Sequence, residues 1–280
     1  MFKQALEELF HEAEYNPLLW LAIKHEHGAR ETFKRFERRL RFGAYGLALL
    51  LTLPTVLAPR AFFLAFLELW LVTFVSFYAL GFAVDAAYAL AARFSSEVRG
   101  EFWEALRLTL LPPAVIAEGK YLNGQLRAWR WLLMETAGRH CLAAWLIFMI
   151  AGLTISITPL LLMWIWLILV PILVLAYGYV SEPLWRMRAV VALSFAMALR
   201  IRDEAMAILV TLGIAFSIRL LQIVFVITIP LQLNLLERNP IIGFAPWLYI
   251  LAVYVFFYGT YWYAHRWAWN TVLSHIEAER

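Results

Sequence analysis

The sequence predicts an all-α, polytopic integral membrane protein with six transmembrane helices, and three observations lead there. Of the 280 residues 63% are hydrophobic and 16% charged, a balance that a water-soluble domain of this length does not carry. Apolar runs recur that are long enough to cross a hydrocarbon core of ~30 Å, which takes about 20 helical residues. Lys and Arg, finally, lie almost entirely in alternate connections between those runs.

Residues 1–15 place Phe2, Leu6, Leu9 and Ala13 at helical spacing among charges. Glu7, Glu8, Glu12 and Glu14 stand where a secretory leader needs an apolar core, so no cleaved targeting peptide is expected. Asn16-Pro17 then reads as a helix start, with Asn able to cap and Pro pre-set for the first turn. Beyond it Leu19, Ile23, Ala29, Phe33, Phe36 and Leu40 share one face, while Lys24, Arg30, Lys34, Arg35, Arg38, Arg39 and Arg41 crowd the other. Such a basic amphipathic helix is expected to lie in the headgroup plane; a solvated charged helix is the alternative.

The six spans are expected at Phe42–Ala58, Ala61–Ala83, Cys141–Ile157, Leu160–Val180, Ala205–Ile229 and Trp247–Tyr263. Pro59-Arg60 and Thr158-Pro159 leave so little chain between neighbours that the flanking spans must form antiparallel hairpins. Residues 1–41, 84–140, 181–203 and 264–280 carry eight, seven, four and two Lys or Arg, twenty-one in all; the opposite side has Arg60 and Arg238. The positive-inside rule therefore puts both termini and the 84–140 connection in the cytoplasm. The chain divides into an interfacial region 1–41, a transmembrane domain 42–263 and a cytoplasmic tail 264–280. The basic excess is an orientation signal and calls for no nucleic-acid partner.

Within the 84–140 connection lies Glu97–Lys120, EVRGEFWEALRLTLLPPAVIAEGK. Phe102, Leu106 and Leu110 form one stripe of a short helix that Pro112-Pro113 ends. The acidic-Gly start, the Leu-Thr-Leu centre and the closing Gly-Lys resemble the cytoplasmic loop between the second and third spans of type-2 ABC exporter permeases. That resemblance covers about 25 residues closely, and beyond them only hydropathy and the Asn-Pro that opens an elbow helix in that family. It implies a coupling helix docked on a separate ATPase, with Glu97, Gly100, Glu101, Phe102, Trp103, Glu104, Leu106, Thr109 and Leu110 in the contact. Packing of the same helix on its own neighbours is the alternative.

The resemblance further implies a transmembrane permease of an ATP-driven exporter in a bacterial-type inner membrane, paired with a second permease subunit, identical or merely similar. ATP and Mg would belong to the partner ATPase, the chain itself being no enzyme and holding no cofactor. The short outer loops depart from exporters that carry large external domains. A non-transporting integral scaffold of a larger complex is the competing reading.

Other motifs carry less. Ala117-Glu118-Gly119-Lys120 lacks the upstream Gly and the following hydroxyl of a phosphate-binding loop. His25 and His27 point to different helix faces and form no metal pair. Cys141, the single cysteine, reads as packing. Charges inside spans are costly unless paired, and Glu68 and Arg219 differ in depth by roughly 5 Å, so they are a candidate ion pair, as helix glue or as a substrate site. Asp85 and Glu118 read as cytoplasmic, and the aromatics from Trp247 to Trp269 as an interfacial belt with no ligand cage.

Overall fold

The structure is a computed structural model, and it describes residues 2–16, 18, 29–57, 81–92, 94, 111–155, 159–236 and 245–278. All regular structure among these residues is helical: α1 Phe2–Tyr15, α2 Ala29–Leu57, α3 Gly81–Ala92, α4 Pro113–Ile155, α5 Pro159–Arg200, α6 Glu204–Leu236 and α7 Ala245–Ala278. At 1.5 Å per residue the 43 residues of α4 reach roughly 65 Å, about twice a bilayer core.

Local chemistry sets the helix ends. The amide of Asn16 bonds to the Glu12 carbonyl at 3.1 Å and closes α1. Its side chain then works both ways: Oδ1 accepts from the Leu18 amide at 3.1 Å, and Nδ2 donates to the Val115 carbonyl at 3.0 Å. The Asn side chain thus ties the Leu18 amide to the start of α4. Pro113 opens α4, where its missing N–H costs nothing, and the Pro112 carbonyl accepts from Val115 and Ile116. Between α5 and α6 only residues 201–203 intervene, and Asp203 Oδ1 accepts from the Met206 amide at 2.8 Å, an N-cap.

The C-terminal half of α5 is the axis of the fold. Ala189-Val-Val-Ala-Leu-Ser-Phe-Ala-Met-Ala198 is apolar on every side, and every residue of it is buried. One core joins this stretch to α1, α3, α4, α6 and α7. Phe94 stacks on Phe195 at 4.5 Å, and a Cβ on Gly124 would lie 2.5 Å from the Phe94 ring, so α4 approaches that ring only through glycine. A second, smaller cluster of Ala44, Ala48, Ala137, Cys141, Ala144 and Trp145 holds α2 to α4 through small side chains.

Two differences from the sequence reading concern α2 and the spans. An elbow needs a turn where the basic stretch meets the first span, but Ala29–Leu57 is one continuous helix. The physical reason is packing: Phe36 and Leu40 rest on the main core and Lys34 pairs with Glu7 of α1 at 2.6 Å, so the basic stretch has protein to lie on. The other difference is one of register. Gln222 Nε2 donates to Thr260 Oγ1 at 2.9 Å and Phe225 stacks on Phe256 at 3.8 Å, which fixes α6 antiparallel to α7. Among the described residues one stretch, Glu204–Val226, has the length and composition to cross a membrane, with a mean hydropathy of 2.2.

Candidate functional site

The charges buried in this bundle converge at one level. Asp85, Glu135, Arg139, Glu182, Arg186 and Arg219 are all the buried charged side chains among the described residues, and all six belong to one network. Asp85 comes from α3, Glu135 and Arg139 from α4, Glu182 and Arg186 from α5, and Arg219 from α6. Each lies near the middle of its helix, except on the short α3.

Arg186 is the hub. Its Nε lies 3.0 Å from Asp85 Oδ1 and its Nη1 3.7 Å from Glu182 Oε2, while its Nη2 donates to Glu135 Oε1. Arg139 bridges the same two helices, with Nη2 2.8 Å from Glu135 Oε1 and Nη1 2.6 Å from Glu182 Oε2. Arg219 Nε reaches Asp85 Oδ2 at 2.7 Å, and its Nη2 donates to the Gly81 carbonyl at 2.6 Å. Two tyrosines complete the acceptors: Tyr88 donates to Glu135 Oε2 at 2.7 Å and Tyr261 of α7 to Glu182 Oε1 at 2.5 Å. Three carboxylates balance three guanidiniums, so the layer is neutral although each member alone would be costly to bury.

Two backbone features make room for it. Pro183 has no N–H to offer the Tyr179 carbonyl one turn back, and Arg139 Nη1 donates to that carbonyl at 2.7 Å instead. The guanidinium of Arg219 occupies the place of a side chain at Gly81, where a Cβ would stand 2.0 Å from Nη1. Both are sequence features that serve the network directly.

The electrostatics follow from burial against partners. Burial alone would raise Glu135, but Arg186 and Arg139, with hydrogen bonds from Tyr88 and Arg186, hold it at about 2. Glu182 is likewise opposed by burial and held below its usual range by Arg139 and Arg186. These two carboxylates are ionised at neutral pH and their lone pairs are occupied, which suits them to clamping helices rather than moving protons. No group of His, Cys, Asp or Glu among the described residues has the arrangement of a metal site.

Of the residues singled out from sequence, Arg219 is in this network, buried and paired with Asp85. Its expected partner Glu68 lies outside the described residues, as do Glu97, Gly100, Glu101, Phe102, Trp103, Glu104, Leu106, Thr109 and Leu110. Asp85, read as cytoplasmic, is fully buried and held between Arg186 and Arg219. Sequence reasoning passed over Glu135, Arg139, Glu182 and Arg186. The signal was present: Glu135–Arg139 and Glu182–Arg186 are acid-base pairs at i,i+4, each beside one end of an apolar run.

The fold and site define an all-helical bundle closed around a neutral layer of ion pairs. No protein-family model, curated protein or solved structure matches the chain.

Proposed function

We propose that the chain is the six-span permease subunit of an ATP-driven exporter of the type-2 ABC kind, working with a second permease subunit and a separate ATPase. The observation that carries the structural side of this reading is the level of the ion-pair layer. Asp85, Arg139 and Glu182 each stand two residues from the inner end of an expected span, and Tyr261 stands near the inner end of the last. The layer would then be a collar at the cytoplasmic face, locking the membrane halves of the helices to the cytoplasmic halves that receive force from the ATPase. The twenty-one to two distribution of Lys and Arg and the Glu97–Lys120 resemblance support the same orientation and partner.

Leu248, Leu251 and Val255 on α7, Leu220, Leu221 and Val224 on α6, and Leu47, Leu49 and Leu50 on α2 are exposed and fit lipid, while Met206, Leu209 and Phe216 of α6 are exposed on the other side of Arg219. On the fifth expected span, Ala205–Ile229, Arg219 falls inside the stretch Glu204–Val226 that has the length and composition to cross a membrane, so on α6 the layer lies within the span rather than at its end.

The scaffold reading has one specific observation in its favour: the buried carboxylates and guanidiniums of the collar are engaged with one another, as static glue would be. Leu106→Asp separates the two. In the permease reading an ATPase co-purifies with the full chain in gentle detergent, and Leu106→Asp releases it while the chain stays in the membrane fraction. A wild-type chain that purifies without any ATPase contradicts the permease reading and favours the scaffold.

A further inference from the structure

Beside the collar, and independent of the transport reading, lies a cavity of about 400 Å³ between α1, α4, α5 and α7, within the size range of small-molecule sites. Its chemistry is lopsided. Among the described residues Glu8, Glu12 and Glu118 line it against one guanidinium, Arg188. Burial and Arg188 lower His265, the remaining titratable nitrogen of the described lining, which favours its neutral form at pH 7. The described lining therefore carries an excess of two negative charges. Burial first, and then the neighbouring Glu118, raise Glu12 against the opposing pull of Arg188.

The walls are aromatic. Tyr121 sits 5.4 Å from both His265 and Trp269, and Trp185 meets Tyr258 edge to face at 5.0 Å. Trp262 completes this wall; Arg266, whose guanidinium lies 5.1 Å over the Trp262 ring, is not among the lining residues. Read as a linear sequence these rings suggest a membrane belt, but the fold turns Tyr258, Tyr261, Trp262 and Trp269 toward one space. Faces of Trp and Tyr attract cations, and carboxylates nearby add to that pull.

An independent observation points to what the ligand donates. Gln125 is 2% exposed, lines the cavity, and its Oε1 has no hydrogen-bond partner among the described residues. A buried carbonyl oxygen left unpaired is costly, and a ligand N–H would satisfy it. Two of the lining hydroxyls are already committed: Tyr121 donates to the Arg188 carbonyl at 3.2 Å and Tyr261 to Glu182. A quaternary ammonium has no N–H to give Gln125, and a bare metal dication makes no use of apolar walls.

We propose that this cavity binds an alkyl diamine or polyamine, with one ammonium donating to Gln125 Oε1 between the aromatic faces and a second held by Glu12 and Glu118 at the mouth. The ligand's two charges match the excess in the lining, and its methylene chain suits the rings.

Calorimetric titration of the detergent-solubilised full chain with 1,4-diaminobutane and spermidine tests this. Saturable 1:1 binding is expected, and Glu12→Gln, an exposed change that leaves the core untouched, should weaken it at least about tenfold, as should Gln125→Leu. Tetramethylammonium and Mg²⁺ should bind at least tenfold more weakly than the diamine. Equal binding of either control, or no saturable binding of a diamine by the folded wild-type chain, overturns the proposal. If Gln125→Leu does not fold, Glu12→Gln with Trp262→Ala decides: unchanged diamine affinity in both overturns it.

Discussion

At the scale of single residues, the collar shows how buried charge is tolerated and where it is vulnerable. Removing one partner strands the others, which typically costs 3–5 kcal/mol, whereas a neutral replacement of a whole set need not. Arg186→Met is the severest case, since Arg186 touches all three carboxylates; unfolding of the purified chain should drop by about 3–5 kcal/mol. Gly81→Ala forces the Arg219 guanidinium from its place and should cost about 1–3 kcal/mol, the usual range for overpacking. The pH dependence has a definite sign. Glu135 is held at about 2, below its unfolded value, so its contribution is fully present above pH ~4.5 and is lost as pH falls through about 2. Thermal unfolding at pH 7, 4 and 2.5 should show that loss in the wild-type chain, with Glu135→Gln already lower at pH 7 and flatter below it.

At the scale of elements, much was legible and the failures have physical reasons. Asn16 before Pro17, Pro112-Pro113 and the polar Arg202-Asp203 all mark helix boundaries through local hydrogen bonding that neighbours in sequence supply. Asp203→Ala removes the α6 cap and should cost about 1 kcal/mol in a denaturation curve. Continuity across residue 41 was illegible, because it depends on Phe36 and Leu40 finding the core of distant helices. So was the register of α6. Hydropathy scores Ala207 and Ala215, which face the protein core, together with Met206, Leu209 and Phe216, which face outward, and so cannot say which part of the helix meets lipid. The site was half legible: the i,i+4 pairs are local, but Glu135 and Arg186 are 51 residues apart, and nothing in one chain reports that they meet. Arg219 reads in sequence as a charge to be paired with Glu68, which lies outside the described residues; in the structure Asp85 lies against it, a contact that counting depth along the spans does not register.

At the scale of the whole molecule, the proposed reading has the neutral collar divide one bundle into a membrane half and a cytoplasmic half. The α5–α6 connection at 201–203 joins the ends of both helices on the side of the collar that the proposed topology puts in the cytoplasm, and Asp203 is exposed there. The most direct test is labelling of a single cysteine at Asp203, with Cys141 replaced by Ala, in cells that express the full chain. A membrane-impermeant thiol reagent should leave Asp203→Cys unlabelled in intact cells and label it after permeabilisation, while Arg238→Cys should label in both. Ready labelling of Asp203→Cys in intact cells would contradict the orientation, and with it the collar as a cytoplasmic boundary.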